Sequence, residues 1–400
     1  MLNWAGILGK LHFYLGIIFF LGLLLPGQSI GQRDADVIKF GVSLDLSGSF
    51  RVMSSMQKKG FRLWESHVNA SGGILGKEVQ IIIQDNQGSI ETLQKHYLEM
   101  LEDKAVDFVF APYSSAHNHA VVQLFEQYKI PVVTSGASDP SLWEQGYRYF
   151  FGLYSPADKY AQGFLEIMSL RNIRRTAVFY LGDPFSSSAG EGAVKWARRL
   201  GMEVRVFEQV DSDYESFLQA VKRARNEDVE SLIMCGYLEA SIFMRRAIAE
   251  SDWSPDAYFA TVGPVSQDYY DSLEGKGENT FSSAIWQYHS QLVFPGIHRF
   301  NAEFIDRFGH EPNYHAASAY AAGQLMEKAM NLTGGFRSDD LREALLQMET
   351  FTIIGRYGVN DNGKQIRQIP FTIQWQQGRM EIVWPQSLAT SSPRLEYGRR

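Results

Sequence analysis

Two short segments gather small hydroxyl residues directly behind apolar runs. Ala111-Pro112-Tyr113-Ser114-Ser115-Ala116 follows the run 106–110, and Thr134-Ser135-Gly136-Ala137-Ser138 follows 130–133. Each run reads as a short strand. A helical pattern begins after the first segment. After the second, Asp139-Pro140 reads as an N-cap with proline in the first turn. Serine hydroxyls beside the free N–H groups of a helix start are suited to holding a carboxylate. Neither segment holds a strong acid, a base or a metal cluster. Their chemistry is that of grasping a solute, not of cleaving one.

Other reactive residue types are sparse. His117-Asn118-His119 places two imidazoles at a spacing of two, where helical side chains diverge, so no shared metal ion is expected. His117 could instead border a ligand. His310 and His315 are assigned to surface or packing. Asp183-Pro184-Phe185-Ser186-Ser187-Ser188 follows another strand-like run and has two readings: a capped helix start, or a loop whose Phe185 covers a ligand. Tyr237, in Gly236-Tyr237-Leu238-Glu239, is either core-edge packing or a ligand contact at a strand's carboxyl end. The chain lacks the Gly-x-Gly-x-x-Gly fingerprint and the phosphate loop. No cofactor is expected. The single cysteine, Cys235, lies in an apolar run and reads as a buried structural thiol.

These segments need a scaffold, and the rest of the chain supplies one. Four hundred residues with 45% apolar content allow two domains, perhaps three. A net charge of −7, a pI of about 5.8 and no long basic run argue against nucleic acid as a partner. Residues 11–26 form an apolar run behind Lys10, and Gly27, Ser29 and Gly31 follow. The pattern is that of a signal peptide over 1–31 with mature protein beginning near Gln32. An uncleaved anchor is the competing reading, but a run of about 15 residues falls short of the roughly 20 that span a bilayer. From residue 37 strand and helix patterns alternate to about 260, with a restart after 147–154. This is the rhythm of βαβ units and parallel sheets covered on both faces. Three helices follow (297–308, 314–332, 339–348), then a hairpin around Gln376-Gln377-Gly378 and a polar tail expected to fray from about 387.

Several ordered segments add a family resemblance. They are Ile38-Lys-Phe-Gly-Val-Ser-Leu-Asp-Leu-Ser-Gly, Asn69-Ala-Ser-Gly-Gly-Ile-Leu-Gly-Lys, Ala111-Pro-Tyr-Ser-Ser, Ile130-Pro-Val-Val-Thr-Ser-Gly-Ala-Ser and Glu311-Pro-Asn-Tyr-His-Ala-Ala-Ser-Ala-Tyr-Ala-Ala. Together they make residues 37–386 resemble the type I periplasmic binding proteins of the leucine/isoleucine/valine-binding family. The resemblance implies an α/β fold of two Rossmann-like lobes with parallel central sheets joined by a hinge. The first lobe would comprise 37–154 plus 287–351, and the second 155–286 plus 352–386, with 387–400 as the tail.

It also implies a non-catalytic, exported, monomeric receptor that closes on a small amino acid, carboxylate or amide and hands it to the membrane permease of an ABC transporter. Implied contacts are Tyr113, Ser114 and Ser115 from one serine loop and Ser135, Gly136, Ala137 and Ser138 from the other. Phe185, Tyr237 and Val262 would face them from the second lobe. Val262 stands where amino-acid binders of the family often carry an acid for the ligand ammonium. That departure favours a ligand without an ammonium, unless Glu239 swings in as a substitute. A ligand-sensing receptor on the same fold and an exported hydrolase using Ser114 or Ser135 are the remaining alternatives.

Overall fold

The computed structural model describes residues 36–395. The segment read as a signal peptide and the last five residues lie outside that range. Among the described residues no helix is long and apolar enough to cross a membrane.

The first lobe is built on β1 (Val37–Leu44), flanked by β2 (Glu78–Asp85) and β3 (Phe108–Val109) in the order β2-β1-β3, all parallel. β1 is buried along nearly its whole length, as a parallel strand covered on both faces must be. Two helices fill its crossovers, α1 (Arg51–Ala70) and α2 (Ile90–Glu102); α3 (Ser115–Gln127) leaves β3 for the two-stranded parallel pair β4 (Val132–Thr134) and β5 (Phe150–Gly152). The expected strand 106–110 narrows to two paired residues. Phe110 still donates its N–H to the Gly41 carbonyl, so the extended path continues without a full ladder.

The second lobe holds a seven-stranded sheet. After α4 (Gln162–Leu170), strands β6 (Arg175–Tyr180), β7 (Glu203–Gln209), β8 (Ser231–Cys235), β9 (Ala257–Ala260) and β10 (Phe281–Ala284) alternate with α5 (Pro184–Arg199), α6 (Tyr214–Asn226), α7 (Leu238–Glu250) and α8 (Gln267–Ser272). The order β14-β13-β10-β9-β8-β6-β7 is parallel from β10 to β7. The helix expected over 157–170 divides into a 3-10 turn, Ala157–Lys159, and α4.

The chain then adds α9 (Ile297–Phe308), α10 (Tyr314–Thr333) and α11 (Ser338–Gln347), the small hairpin β11 (Thr350–Thr352) and β12 (Gly355–Tyr357), and the hairpin β13 (Phe371–Gln376) and β14 (Arg379–Trp384). The last hairpin extends the seven-stranded sheet through antiparallel pairing of β10 with β13. Its turn uses Gln377 and Gly378, both at positive φ, as a two-residue hairpin turn demands. α10 returns to pack on α1, far behind it in sequence. Gly323 permits the approach, because a Cβ there would lie 2.1 Å from the Trp64 ring.

The tail differs from expectation. Residues 387–395 are tied to the sheet: Thr390 N–H donates to the Ile382 carbonyl, Gln376 Nε2 to Ser392 O and Gln374 Nε2 to Arg394 O. Gln374 and Gln376 are buried. Their amides need partners, and the tail backbone supplies them.

Candidate ligand site

Open parallel sheets bind ligands where the strand order reverses. In the first sheet that point lies between β1 and β3, and in the second between β6 and β8. The loops leaving β1 and β3 carry Phe50 and Tyr113-Ser114; those leaving β6 and β8 carry Asp183-Phe185 and Tyr237. Both pairs meet. The Phe50 and Tyr237 rings stand 4.7 Å apart centre to centre, and Tyr113 and Tyr237 6.4 Å. The two switch points therefore face each other across an aromatic contact.

The first-lobe loops are locked together. Ser114 is the N-cap of α3; its Oγ accepts from His117 N–H at 3.2 Å and its own N–H donates to the Gly136 carbonyl at 3.0 Å. Its φ of 80° and ψ of 147° place a serine where the backbone favours glycine. Ser114 is only 1% exposed. Ser115 Oγ accepts from the N–H groups of Ser138 and Asp139, so it ties one serine loop to the other. Ser135 is held by Gln57, whose Nε2 reaches its carbonyl at 2.8 Å and its hydroxyl at 3.2 Å. Gly136 passes so close to the other loop that a Cβ would lie 2.8 Å from Tyr113 Cα. Ala137 is a correction: its methyl packs among Leu93, Val121 and Leu142 in the first-lobe core, leaving only its backbone for a ligand.

The Ser114 hydroxyl retains its proton for an acceptor. Ser138 adjoins the Tyr160 hydroxyl, which acts on it as a side-chain partner. Tyr160 in turn packs on Phe185 at 5.5 Å, and Phe185 on Tyr237 at 5.3 Å. Phe185 sits in the first turn of α5 and Asp183 is its N-cap, as the capped-helix reading of that loop expects. Val262 is buried in the large apolar cluster at the end of β9, one strand away from the switch point. Glu239 lies in the first turn of α7 and is exposed, with no contact that draws it inward.

Burial dominates the electrostatics. It pushes the phenols of Tyr113 and Tyr237 well above their ordinary range, and the Asp183 charge adds to both. It raises the Asp183 carboxyl, against hydrogen bonds from Ser186 that act in the opposite direction. It lowers His117, whose ring packs on Phe50 at 5.5 Å. His315 takes the packing role of its two readings: it lies fully buried with Nε2 3.1 Å from the Tyr113 hydroxyl, and burial lowers it to about 3. His119 pairs with Asp139 at 2.7 Å, apart from His117. Among the described residues no group of three or more His, Cys, Asp or Glu is gathered to hold a metal. Cys235 is buried, and burial raises its thiol.

Phe50, Tyr160, Asp183, Gln57 and His315 are site residues that the sequence reading missed. One signal for Phe50 was available: Asp45, four residues after Gly41 on the first strand, accepts the N–H groups of Gly48 and Phe50 and so fixes a loop that ends at the switch point.

Comparison with known proteins agrees with this geometry. A family described as "Periplasmic binding protein" matches residues 37–379. The Leu/Ile/Val-binding protein homolog 8 of Brucella suis biovar 1 (strain 1330) is 23% identical over 398 residues, covering 94% of this chain and 97% of its own. The branched-chain amino acid transporter substrate binding protein LivJ from Streptococcus pneumoniae str. Canada MDR_19A, solved with isoleucine, superposes with a TM-score of 0.76 at 18% identity, covering 86% of this chain and 98% of its own. A solute binding protein of an ABC transporter from Rhodopseudomonas palustris BisB5, solved with 3,4-dihydroxy benzoic acid, gives 0.74 at 16% identity, covering 86% and 95%. At such identities the two solved structures speak for the fold and not for the ligand. The match over residues 37–379, on two lobes whose switch points face one another, makes this chain a member of the periplasmic binding protein family.

Proposed function

We propose that the chain is an exported solute receptor that binds a small carboxylate-bearing molecule between its lobes and presents it to the membrane permease of an ABC transporter. The single observation that carries this is the opposition of two sheet switch points, one with serine hydroxyls and helix-start N–H groups, the other with aromatic rings. Residues 37–154 with 287–351 form the serine-bearing lobe, and 155–286 with 352–386 the aromatic one. Ser114, Ser138 and the backbone of Gly136 hold the carboxylate. Tyr113, Phe185 and Tyr237 enclose the remainder. Contacts to the second lobe favour the closed state by their differential energy, which is all a ligand can contribute to closure. No bond is made or broken. The isoleucine and dihydroxybenzoate of the two solved relatives both carry a carboxylate, in keeping with an anchor that recognises this group and leaves the rest to the opposite lobe.

A melting-temperature screen of the purified protein against aliphatic and aromatic acids, amino acids and small amides tests this. At least one acid should raise the melting temperature in a saturable way. Amides binding while every carboxylate fails would refute the serine anchor. Export is tested separately: N-terminal sequencing of protein from its native envelope should begin near Gln32, and an intact segment 1–26 on membrane-bound protein would refute cleavage.

A further inference from the structure

We propose that the pole of the second lobe opposite the cleft docks on an anionic lipid surface. Two helix ends build this pole. α4 stops at Leu170 and α5 at Arg199, and the connections 171–174 and 200–202 lead into the first residues of β6 and β7. Those strands pair with Arg175 opposite Glu203, and Glu203 N–H donates to the Arg174 carbonyl at 2.8 Å, so the two helix ends lie side by side. The ligand loops leave the other ends of the strands in this sheet. A protein seated by this pole therefore keeps its cleft open to solvent.

Leu170 is 83% exposed, and Arg171, Arg198 and Arg199 are exposed at the same two helix ends. The carboxylates nearby serve other arginines. Glu203 pairs with Arg205 at 2.6 Å, and Asp228 and Glu230 pair with Arg175 at 3.2 Å and 3.1 Å. That leaves Arg171, Arg198 and Arg199 without an ion pair among the described residues. The Arg199 guanidinium instead lies 5.0 Å from the ring centre of the half-buried Trp196.

A cationic last turn complements a helix dipole, which accounts for Arg198 and Arg199 on α5 taken alone. A lone exposed leucine is likewise ordinary. Together, a protruding leucine and a tryptophan set among unpaired arginines have the composition of an interfacial anchor. The apolar groups enter the headgroup layer while the guanidiniums stay with the phosphates, which they can grip through paired N–H groups. The chain as a whole carries a net charge of −7. Its overall field repels an anionic surface and so turns this cationic pole toward it. The contact needs no solute, and its failure would leave the receptor reading untouched.

Sedimentation with lipid vesicles, using protein purified from its native envelope, tests this. Binding should be strong to mixed phosphatidylcholine–phosphatidylglycerol vesicles at low salt, weak to phosphatidylcholine alone, and should fall as salt rises. Arg171→Gln, Arg198→Gln and Arg199→Gln should each lower the partition coefficient by about fivefold. Leu170→Ser should lower it by about tenfold. All four side chains are exposed, so the variants should melt close to the wild-type temperature. Lys222→Gln is the control. It removes one exposed charge from α6, whose apolar residues pack with α7 in a separate core, and it should leave binding unchanged. The proposal is overturned if the anionic vesicles sediment no protein, if phosphatidylcholine alone binds as well, or if Lys222→Gln costs as much as the patch variants. Capture of poly-glutamate in place of vesicles would assign the patch to an acidic polypeptide and overturn it too.

Discussion

Ser114 offers an unusual test, because one residue both strains the backbone and carries the ligand anchor. With φ at 80° and ψ at 147° it occupies a region nearly reserved for glycine, a conformation that costs of order 1–3 kcal/mol. Ser114→Gly releases that strain. Against this stand the loss of the cap to His117 N–H, a few tenths of a kcal/mol for glycine at an N-cap, and the extra freedom of an unfolded glycine, about 0.4–1 kcal/mol. The net effect on the unliganded protein lies between about zero and 2 kcal/mol of stabilisation. Ser114→Ala keeps the strain and loses the cap, which costs about 0.5–2 kcal/mol. The glycine variant should therefore be the more stable of the two by at least about 0.5 kcal/mol. Both lose the hydroxyl donated to a charged acceptor, worth about 1.5–3 kcal/mol, or roughly 10- to 150-fold in dissociation constant. Urea titration of the unliganded variants and calorimetry with the acid found by screening separate the two effects. A glycine variant less stable than the alanine variant would refute the strain argument. Unchanged affinity in both would move the anchor elsewhere.

Three further outcomes follow from described contacts. Phe50→Ala removes the ring that meets Tyr237 across the cleft; an aromatic pair contributes about 0.5–1.5 kcal/mol beyond its area, so affinity should fall at least a few-fold and small-angle scattering should show a more open unliganded protein. Glu239→Gln should leave affinity unchanged within error, because the side chain is exposed; a tenfold loss in calorimetry would reinstate Glu239 as a ligand partner. His315, lowered to about 3 by burial, stays neutral in the fold while an unfolded histidine protonates near 6.5. The unfolded state then binds the extra proton, so stability is full above about 6.5 and falls as pH drops toward 3, by at most about 1.4 kcal/mol per pH unit. His315→Gln should flatten that slope in urea titrations between pH 6 and 4, and an unaltered slope would show that other groups carry it.

The two-lobed α/β class was legible because parallel strands buried on both faces write long apolar runs, as 37–44 and 231–235 do. The serine loops were legible because a hydroxyl cluster between a strand and a helix start is a local pattern. What faces those loops was not. Asp183 reads as an N-cap in any chain, and only the fold puts it at the carboxyl end of β6, beside the β6–β8 reversal. Ala137 shares a loop with Ser138 but points the other way, a matter of backbone direction that composition does not record. His315 looked like a turn residue because its neighbour Asn313 caps α10; its burial comes from Tyr113, about two hundred residues earlier. The tail looked frayed because its polarity suits solvent, and two buried glutamines from another strand hold it instead.

The pairing of α1 with α10 also governs when this protein can fold. Trp64 lies in the first sixth of the chain, yet the Gly323 surface that receives it comes some 260 positions later. During synthesis Phe40 and Phe110 can meet Phe61 and Trp64 early, while the side of Trp64 that faces Gly323 stays uncovered until α10 has left the ribosome. Contacts of such separation close late and slowly. Until then the uncovered apolar surface is available to holding chaperones. The packing of α1 is thus completed only by the last quarter of the chain.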